Sequence, residues 1–291
     1  MRARKPVVAG QFYPGQHDSC LSAIHECVEE VNLSKQLPET IVGGIVPHAG
    51  WTFSGTLAAS VFSAIKQRHD KINVFILFGA AHGYFGALPA VDDRGVWATP
   101  LGEVAIDEEL AGAIMNTSQA VSDPNAHLCE HSIEVQVPFI QDIFPGAKIV
   151  PVLVPPTEHA LELGRSVGQL IAAQEDKKIV CIGSTDLTHY GPRYGFAPMG
   201  TGKHALEWAK KVNDTKFIDL ALNLEPAELL ESAVKNGNAC GPGAAAATVE
   251  AAKKLGCKQG LLLEHTTSNE IMLKKMGTTS AEAVGYAAIV F

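Results

Sequence analysis

Apolar residues fall along this chain in short, β-branched runs separated by longer amphipathic stretches. The runs Thr40–Val46, Ile72–Phe78, Lys148–Val154, Lys178–Ile182, Gly260–Leu263 and Ala283–Val290 predict strands covered on both faces, where no polar side is kept. Between them, helical periodicity predicts helices at Asp18–Leu33, Gly55–Arg68, Glu108–Met115, Ser132–Ile143, Glu158–Gln174, Ala205–Val212, Lys216–Asn223, Pro226–Lys235 and Pro242–Leu255. Such alternation predicts an α/β fold with a mostly parallel central sheet and helices on both faces. Leu88–Val96 and Trp97–Ile106 add antiparallel strands or a hairpin. No repeat, low-complexity tract or linker interrupts the pattern, so residues 1–291 are read as a single domain.

Composition narrows the class. The chain has 291 residues and is 46% hydrophobic, enough for a sizeable core. Its 23 Lys and Arg against 31 Asp and Glu leave a net charge of −8, which argues against nucleic acid and against anionic membrane surfaces. The basic start, Met1-Arg-Ala-Arg-Lys-Pro-Val-Val, has no apolar run of the secretory kind. There is also no apolar run of about 18 residues, so no membrane span is expected. The six cysteines are scattered without a CxxC pair, and a cytoplasmic protein with reduced thiols is expected.

The 11 histidines matter by placement. Ligands of open α/β sheets bind beyond the carboxyl ends of the strands. Pro47-His48-Ala49-Gly50-Trp51, Gly79-Ala80-Ala81-His82-Gly83 and Gly183-Ser184-Thr185-Asp186-Leu187-Thr188-His189 each follow a predicted strand and carry histidine among small residues. Neutral imidazole is the commonest metal ligand and a general acid or base near neutral pH, so His48 and His82 are candidates for one ion. The bland alternative is two hydrogen-bonded loop histidines. Cys240, in Ala239-Cys240-Gly241-Pro242, precedes a predicted helix whose amino terminus would lower its pKa and favour thiolate; a tight-turn residue is the alternative. Asp186 and His189 read as an orienting carboxylate and a proton carrier, against a helix-capping role for Ser184, Thr185 or Asp186.

Other motifs are weaker. His127-Leu-Cys-Glu130-His131 matches the H-x-x-E-H zinc-peptidase pattern, but Asp123-Pro124-Asn125 makes its approach a loop rather than the helix that pattern needs. Glu130, His131 and Glu134 are read as residues that line or buttress the pocket, against the alternative of a capped amphipathic helix with solvated charges. No P-loop, strict GxGxxG or GxSxG frame is present.

At these residues the chain resembles the Memo family, whose prokaryotic members are called AmmeMemoRadiSam system protein B. The resemblance runs nearly end to end. It is carried by Ala9-Gly10-Gln11-Phe12-Tyr13-Pro14, Val46-Pro47-His48-Ala49-Gly50-Trp51, Phe53-Ser54-Gly55, Gly79–Gly83, Glu130-His131-Ser132-Ile133-Glu134, Ser184–Gly191, Cys240-Gly241-Pro242 and Val284-Gly285-Tyr286-Ala287. It implies the architecture of class III extradiol dioxygenases, and metal ligation by His48, His82 and Cys240 with Asp186 and His189 nearby and Trp51 supporting the pocket. A thiolate where those dioxygenases carry a carboxylate is a departure: sulfur is softer, favours copper or zinc, and oxidises readily.

Three readings stay open at this stage. One is a nonhaem-iron redox enzyme acting on a small molecule. Another is a non-enzymatic module that handles metal or binds a phospho-peptide or partner protein, in a pathway the family name links to radical-SAM proteins. The third is a hydrolase using zinc-activated water. Iron is the expected cofactor with copper or zinc as alternatives, and a homodimer is a reasonable expectation.

Overall fold

A computed structural model describes residues 2–174 and 176–291. Its strands are β1 (Ala3–Arg4), β2 (Gly43–Val46), β3 (Val74–Gly79), β4 (Ala90–Val91), β5 (Val96–Thr99), β6 (Gly102–Ala105), β7 (Val121–Ser122), β8 (Lys148–Leu153), β9 (Ile179–Ser184), β10 (His189–Tyr190), β11 (Leu261–Thr267) and β12 (Ala283–Val290). Its α-helices are α1 (His17–Glu29), α2 (Trp51–Arg68), α3 (Glu108–Thr117), α4 (Val137–Ile143), α5 (His159–Ala172), α6 (Lys203–Trp208), α7 (Thr215–Leu222), α8 (Pro226–Asn236), α9 (Pro242–Lys254) and α10 (Ser268–Met276).

Among the described residues the main sheet has nine strands in the order β10-β12-β2-β9-β3-β8-β4-β7, with β11 also paired to β12. The inner strands β2, β9, β3 and β8 run parallel, as expected. The sheet as a whole is mixed, which corrects the expectation of a mostly parallel one. β12 runs antiparallel to β2, to β11 and to β10, and β4 runs antiparallel to β8. The reason is that β12 is buried along its whole length. An all-apolar run reports burial on both faces and says nothing of direction. The connection from β11 to β12 through α10 is long enough to serve either direction, so its length does not announce the antiparallel pairing.

Helices do cover both faces. Successive residues of a strand point to opposite sides. At Gly43 an added Cβ would meet Thr248 of α9, and at Gly44 it would lie 2.6 Å from Val61 of α2. Two glycines in β2 therefore let α9 and α2 close on the sheet from either side. The expected hairpin forms as β5 with β6, and β1 joins it in a separate three-stranded sheet.

Local differences have local causes. The helix expected over Ser132–Ile143 splits into a 3-10 turn at Glu134–Gln136 and then α4, which carries Pro138 in its first turn. The two helices expected around Ala205–Val212 and Lys216–Asn223 are joined by a π-helical turn at Ala209–Asp214. α10 has no buried residue and so no apolar stripe to read, although its Thr267–Glu270 capping box is written in the sequence. No described helix is long and apolar enough to cross a membrane.

Candidate metal centre

The parallel register sets Val46 of β2 beside Ser184 of β9, and Gly183 of β9 beside Phe78 of β3. Three adjacent strands therefore end level. The chain leaves β2 into His48, β9 into Asp186 and β3 into His82, so residues far apart in sequence meet at one edge. They floor a cavity of about 620 Å³. His48, His82, His131, Asp186 and His189 line its base, and Phe12, Phe53, Arg193, Tyr194, Glu282 and Tyr286 form part of its wall.

His48 is buried, and its ring is held by its Nδ1 edge. Ser184 Oγ donates to Ser132 O (2.7 Å), so it accepts from His48 Nδ1–H at 3.0 Å. Gln136, anchored on Pro47 O, also approaches Ser184 Oγ at 3.4 Å. This leaves the Nε2 lone pair of His48 facing Cys240, whose Sγ lies 3.1 Å away. Burial, with His82 and His131 close by, holds the His48 pKa well below the ordinary histidine range. It stays neutral and able to ligate.

His82 is fixed by the Glu130 carboxylate, which accepts from His82 Nδ1 at 3.0 Å and from the His82 amide at 3.1 Å. Glu130 also accepts from the Ser132 amide (2.8 Å) and sits 3.6 Å from His131 Nδ1. Burial opposes its charge, but the hydrogen bond and charge of His82 outweigh it, and the Glu130 pKa falls to about 2. Burial likewise opposes charge on His82, yet the bond to Glu130 leaves its pKa raised. His131 is lowered, first by burial.

Asp186 accepts from the His48 amide (2.7 Å) and more weakly from the Ala49 amide (3.3 Å). Burial raises its pKa. The expected contact in which Asp186 orients His189 is replaced by another: His189 Nδ1 donates to Leu187 O at 3.0 Å, two residues back in the same loop. His189 Nε2 is thereby left free. The expected lowering of the Cys240 pKa by the start of α9 is also overturned. Burial, then the nearby Asp186 charge, pushes the thiol up, outweighing the Asp186 amide that bonds its sulfur at 3.3 Å.

Trp51 supports the site from beneath rather than lining it. It opens α2 three residues after His48, donates to Val135 O (3.0 Å), stacks on Tyr13 and packs at a tilt against Phe139. His127 is turned away, fully buried and bonded to Ala90 O against Trp97. It shares no helix with His131, so the zinc-peptidase arrangement does not form. Among the described residues, metal-competent side chains fall into two clusters, His48 with His82 and His131, and His48 with Asp186 and Cys240. Within each, the ligand atoms lie within 4.8 Å of one another. The clusters meet at His48.

Sequence reasoning placed the strand-end residues but missed the wall. Arg193 and Tyr194 follow the Asp186–His189 loop, and Glu282 and Tyr286 come from the antiparallel β12 region. Arg193, Tyr194 and Glu282 lie outside every quoted motif, while Phe12, Phe53 and Tyr286 lie in segments that carry the family resemblance but were given no place in the pocket. The full role of His131 had a signal in the H-x-x-E-H spacing, which brings Glu130 behind two imidazoles at once.

Comparison with known proteins identifies the family. The Memo-like protein family profile matches residues 4–290. A MEMO1 family protein of Methanopyrus kandleri is 36% identical over 300 aligned residues, covering 99% of this chain and 98% of the relative. MEMO1 family proteins of Thermococcus onnurineus (35% identical, 99% of each chain) and Methanosarcina acetivorans (34% identical, 100% of this chain and 99% of the relative) are similar along the same length. The chain belongs to the Memo family.

Proposed function

We propose that this protein binds a transition-metal ion at the strand-end histidines and uses it in redox chemistry on a small molecule held in the cavity. One observation carries the reading: His48, neutral and with Nδ1 occupied, presents Nε2 to two separate groups of metal-competent side chains at the floor of an open cavity. The donors suit iron, with copper or zinc as chemical alternatives. Bound there, such an ion supplies a Lewis acid and, if iron or copper, an electron relay. His82 holds the second donor position. Cys240, the ligand implied by the family resemblance, and His131, which shares the first cluster, compete for the third.

The chain's own residues supply the rest. Glu130 and Ser184 hold the rings by their Nδ1 edges. His189, with Nε2 free at the cavity floor, moves a proton to or from the bound molecule. Aromatic wall residues restrict water. The kinship with extradiol dioxygenases belongs to this reading: a shared cavity position, with a thiol where the dioxygenases use a carboxylate.

Metal analysis of protein purified without oxygen tests it. The wild type is expected to retain iron, or to take up iron(II), copper or zinc far more tightly than the His48→Ala/His82→Ala double variant. Equal affinities for all three ions sink the proposal. An iron spectrum unchanged by oxygen and by catechol substrates sinks its redox part.

A further inference from the structure

The π-helical turn Ala209–Asp214, between α6 and α7, lies outside the cavity lining. A π-turn widens a helix by one residue, and such turns recur at functional sites. Here two consecutive polar side chains, Asn213 and Asp214, both point inward and are buried. A buried amide and a buried carboxylate need hydrogen-bond partners. Theirs come chiefly from two separate segments, the loop that carries Asp186 and His189 and the turn that leads to Cys240.

Asn213 bridges those segments. Its Nδ2 donates to Thr188 Oγ1 at 3.1 Å, beside His189, and to Asn236 O at 3.1 Å, at the end of α8. Both of its amide hydrogens are thus spent, one on each segment. Its backbone carbonyl accepts from Asn238 Nδ2 at 3.1 Å, two residues before Cys240. Asp214 completes the clamp. Its Oδ1 accepts from the Thr188 amide at 3.0 Å, and its Oδ2 from His265 Nε2 of β11 at 3.2 Å. A Cβ added at Gly285 of β12 would collide with this carboxylate, so glycine there is what lets Asp214 reach Thr188. The two segments also touch directly. The Cys240 amide donates to Asp186 O at 3.1 Å, and Leu187 bridges Ala239. Neither contact serves the Thr188 amide, whose acceptor is Asp214.

We propose that Asn213 and Asp214 are positioning residues: the π-turn clamps the Asp186–His189 loop against the turn that carries Cys240, and so sets the placement of His189 and Cys240 from outside the cavity. The clamp takes its purpose from the function proposed above, but its test needs neither metal nor substrate.

Alkylation of the metal-free protein with iodoacetamide, read peptide by peptide by mass spectrometry, tests the clamp. Asn213→Ala is expected to raise the Cys240 labelling rate by about tenfold, the order expected when a buried hydrogen bond is lost and the segment it holds opens locally. The buried thiols of Cys20 and Cys181 serve as internal standards. They are expected to stay within about twofold of the wild type, since only global opening exposes them. Thr188→Val, which removes the hydroxyl acceptor at nearly constant shape, is expected to raise the Cys240 rate by at least about threefold. Thr188→Ser keeps the hydroxyl and is expected to label like the wild type. If Asn213→Ala does not fold by circular dichroism, the Thr188 pair carries the test. A wild-type Cys240 rate in the folded variants overturns the proposal. So does a joint rise at Cys20, Cys181 and Cys240, which would show that the π-turn serves fold stability alone. A protein that binds no metal overturns the function proposed above and not the clamp.

Discussion

A single hydroxyl decides what His48 can do. Ser184 Oγ has one proton and gives it to Ser132 O, so its lone pairs face the imidazole and fix the Nδ1–H tautomer. Ser184→Ala is expected to leave the fold intact and weaken metal affinity by about 10–100-fold, measured by competition with a chromophoric chelator. Glu130 has a pH signature. Its pKa in the fold is about 2 against an ordinary 4.5, so the stability it contributes is complete above about pH 4.5 and is lost as pH falls through 2. The shift corresponds to on the order of 3 kcal/mol. His82 works in the other sense: its raised pKa contributes stability below 6.5 that is lost as pH rises through the folded value. Urea unfolding of metal-free protein from pH 2 to pH 5 checks the first claim. Glu130→Gln is expected to flatten that limb, and an unchanged slope refutes it. At this scale the sequence disclosed which residues meet, because strand ends, small neighbours and histidine are all visible in it. It did not disclose what holds them: Ser184 and Leu187 O act through geometry alone, and a pocket-lining reading of His131 concealed its place in the ring cluster.

Among elements, close approach at β2 shapes the fold. An added Cβ at Gly44 lies 2.6 Å from Val61 Cγ1 and 2.9 Å from the Ile289 carbonyl, and the second neighbour is backbone that cannot yield. Gly44→Ala is therefore expected to cost about 1–3 kcal/mol by forcing α2 or β12 off the sheet. Gly112, inside α3, has nothing within 4 Å of a built Cβ. Gly112→Ala is expected to stabilise by roughly 0.5–1 kcal/mol through helix propensity. Paired denaturant melts read both, and equal effects would show that packing at β2 is looser than its distances imply. The contrast also explains what was legible. Strand and helix positions came from periodicity, and the inner parallel strands followed from alternation. The direction of β12 did not, since a run buried on both faces looks the same either way round. α10 escaped notice because it buries no face.

Across the molecule, a buried charge pair ties the amino-terminal strand to the limb that carries Glu130 and His131. Arg4, on β1, has no exposed side-chain surface and lies 4.3 Å over the Trp97 ring. Its guanidinium donates to Glu134 Oε2 at 2.5 Å, to His127 O at 3.1 Å and to Glu130 O at 2.7 Å. Glu134 in turn accepts from the amides of Val7 and Val8 and from Tyr13 OH. The Glu134 carboxylate is thus satisfied by Arg4, by two backbone amides and by the Tyr13 hydroxyl. Such a pair need not add net stability over an apolar replacement, but removing one partner strands the other charge out of water. Arg4→Met is expected to cost about 3–5 kcal/mol, because Glu134 keeps its amides yet loses its cation. Glu134→Gln keeps an acceptor for those amides and leaves Arg4 unpaired, so it too is destabilising. The double variant is expected to cost clearly less than the sum of the singles, since neither charge is then left alone. Denaturant unfolding of the four proteins closes the cycle. Strict additivity would show that Arg4 and Glu134 act separately, and that the small three-stranded sheet is not coupled through them to the limb that carries Glu130 and His131.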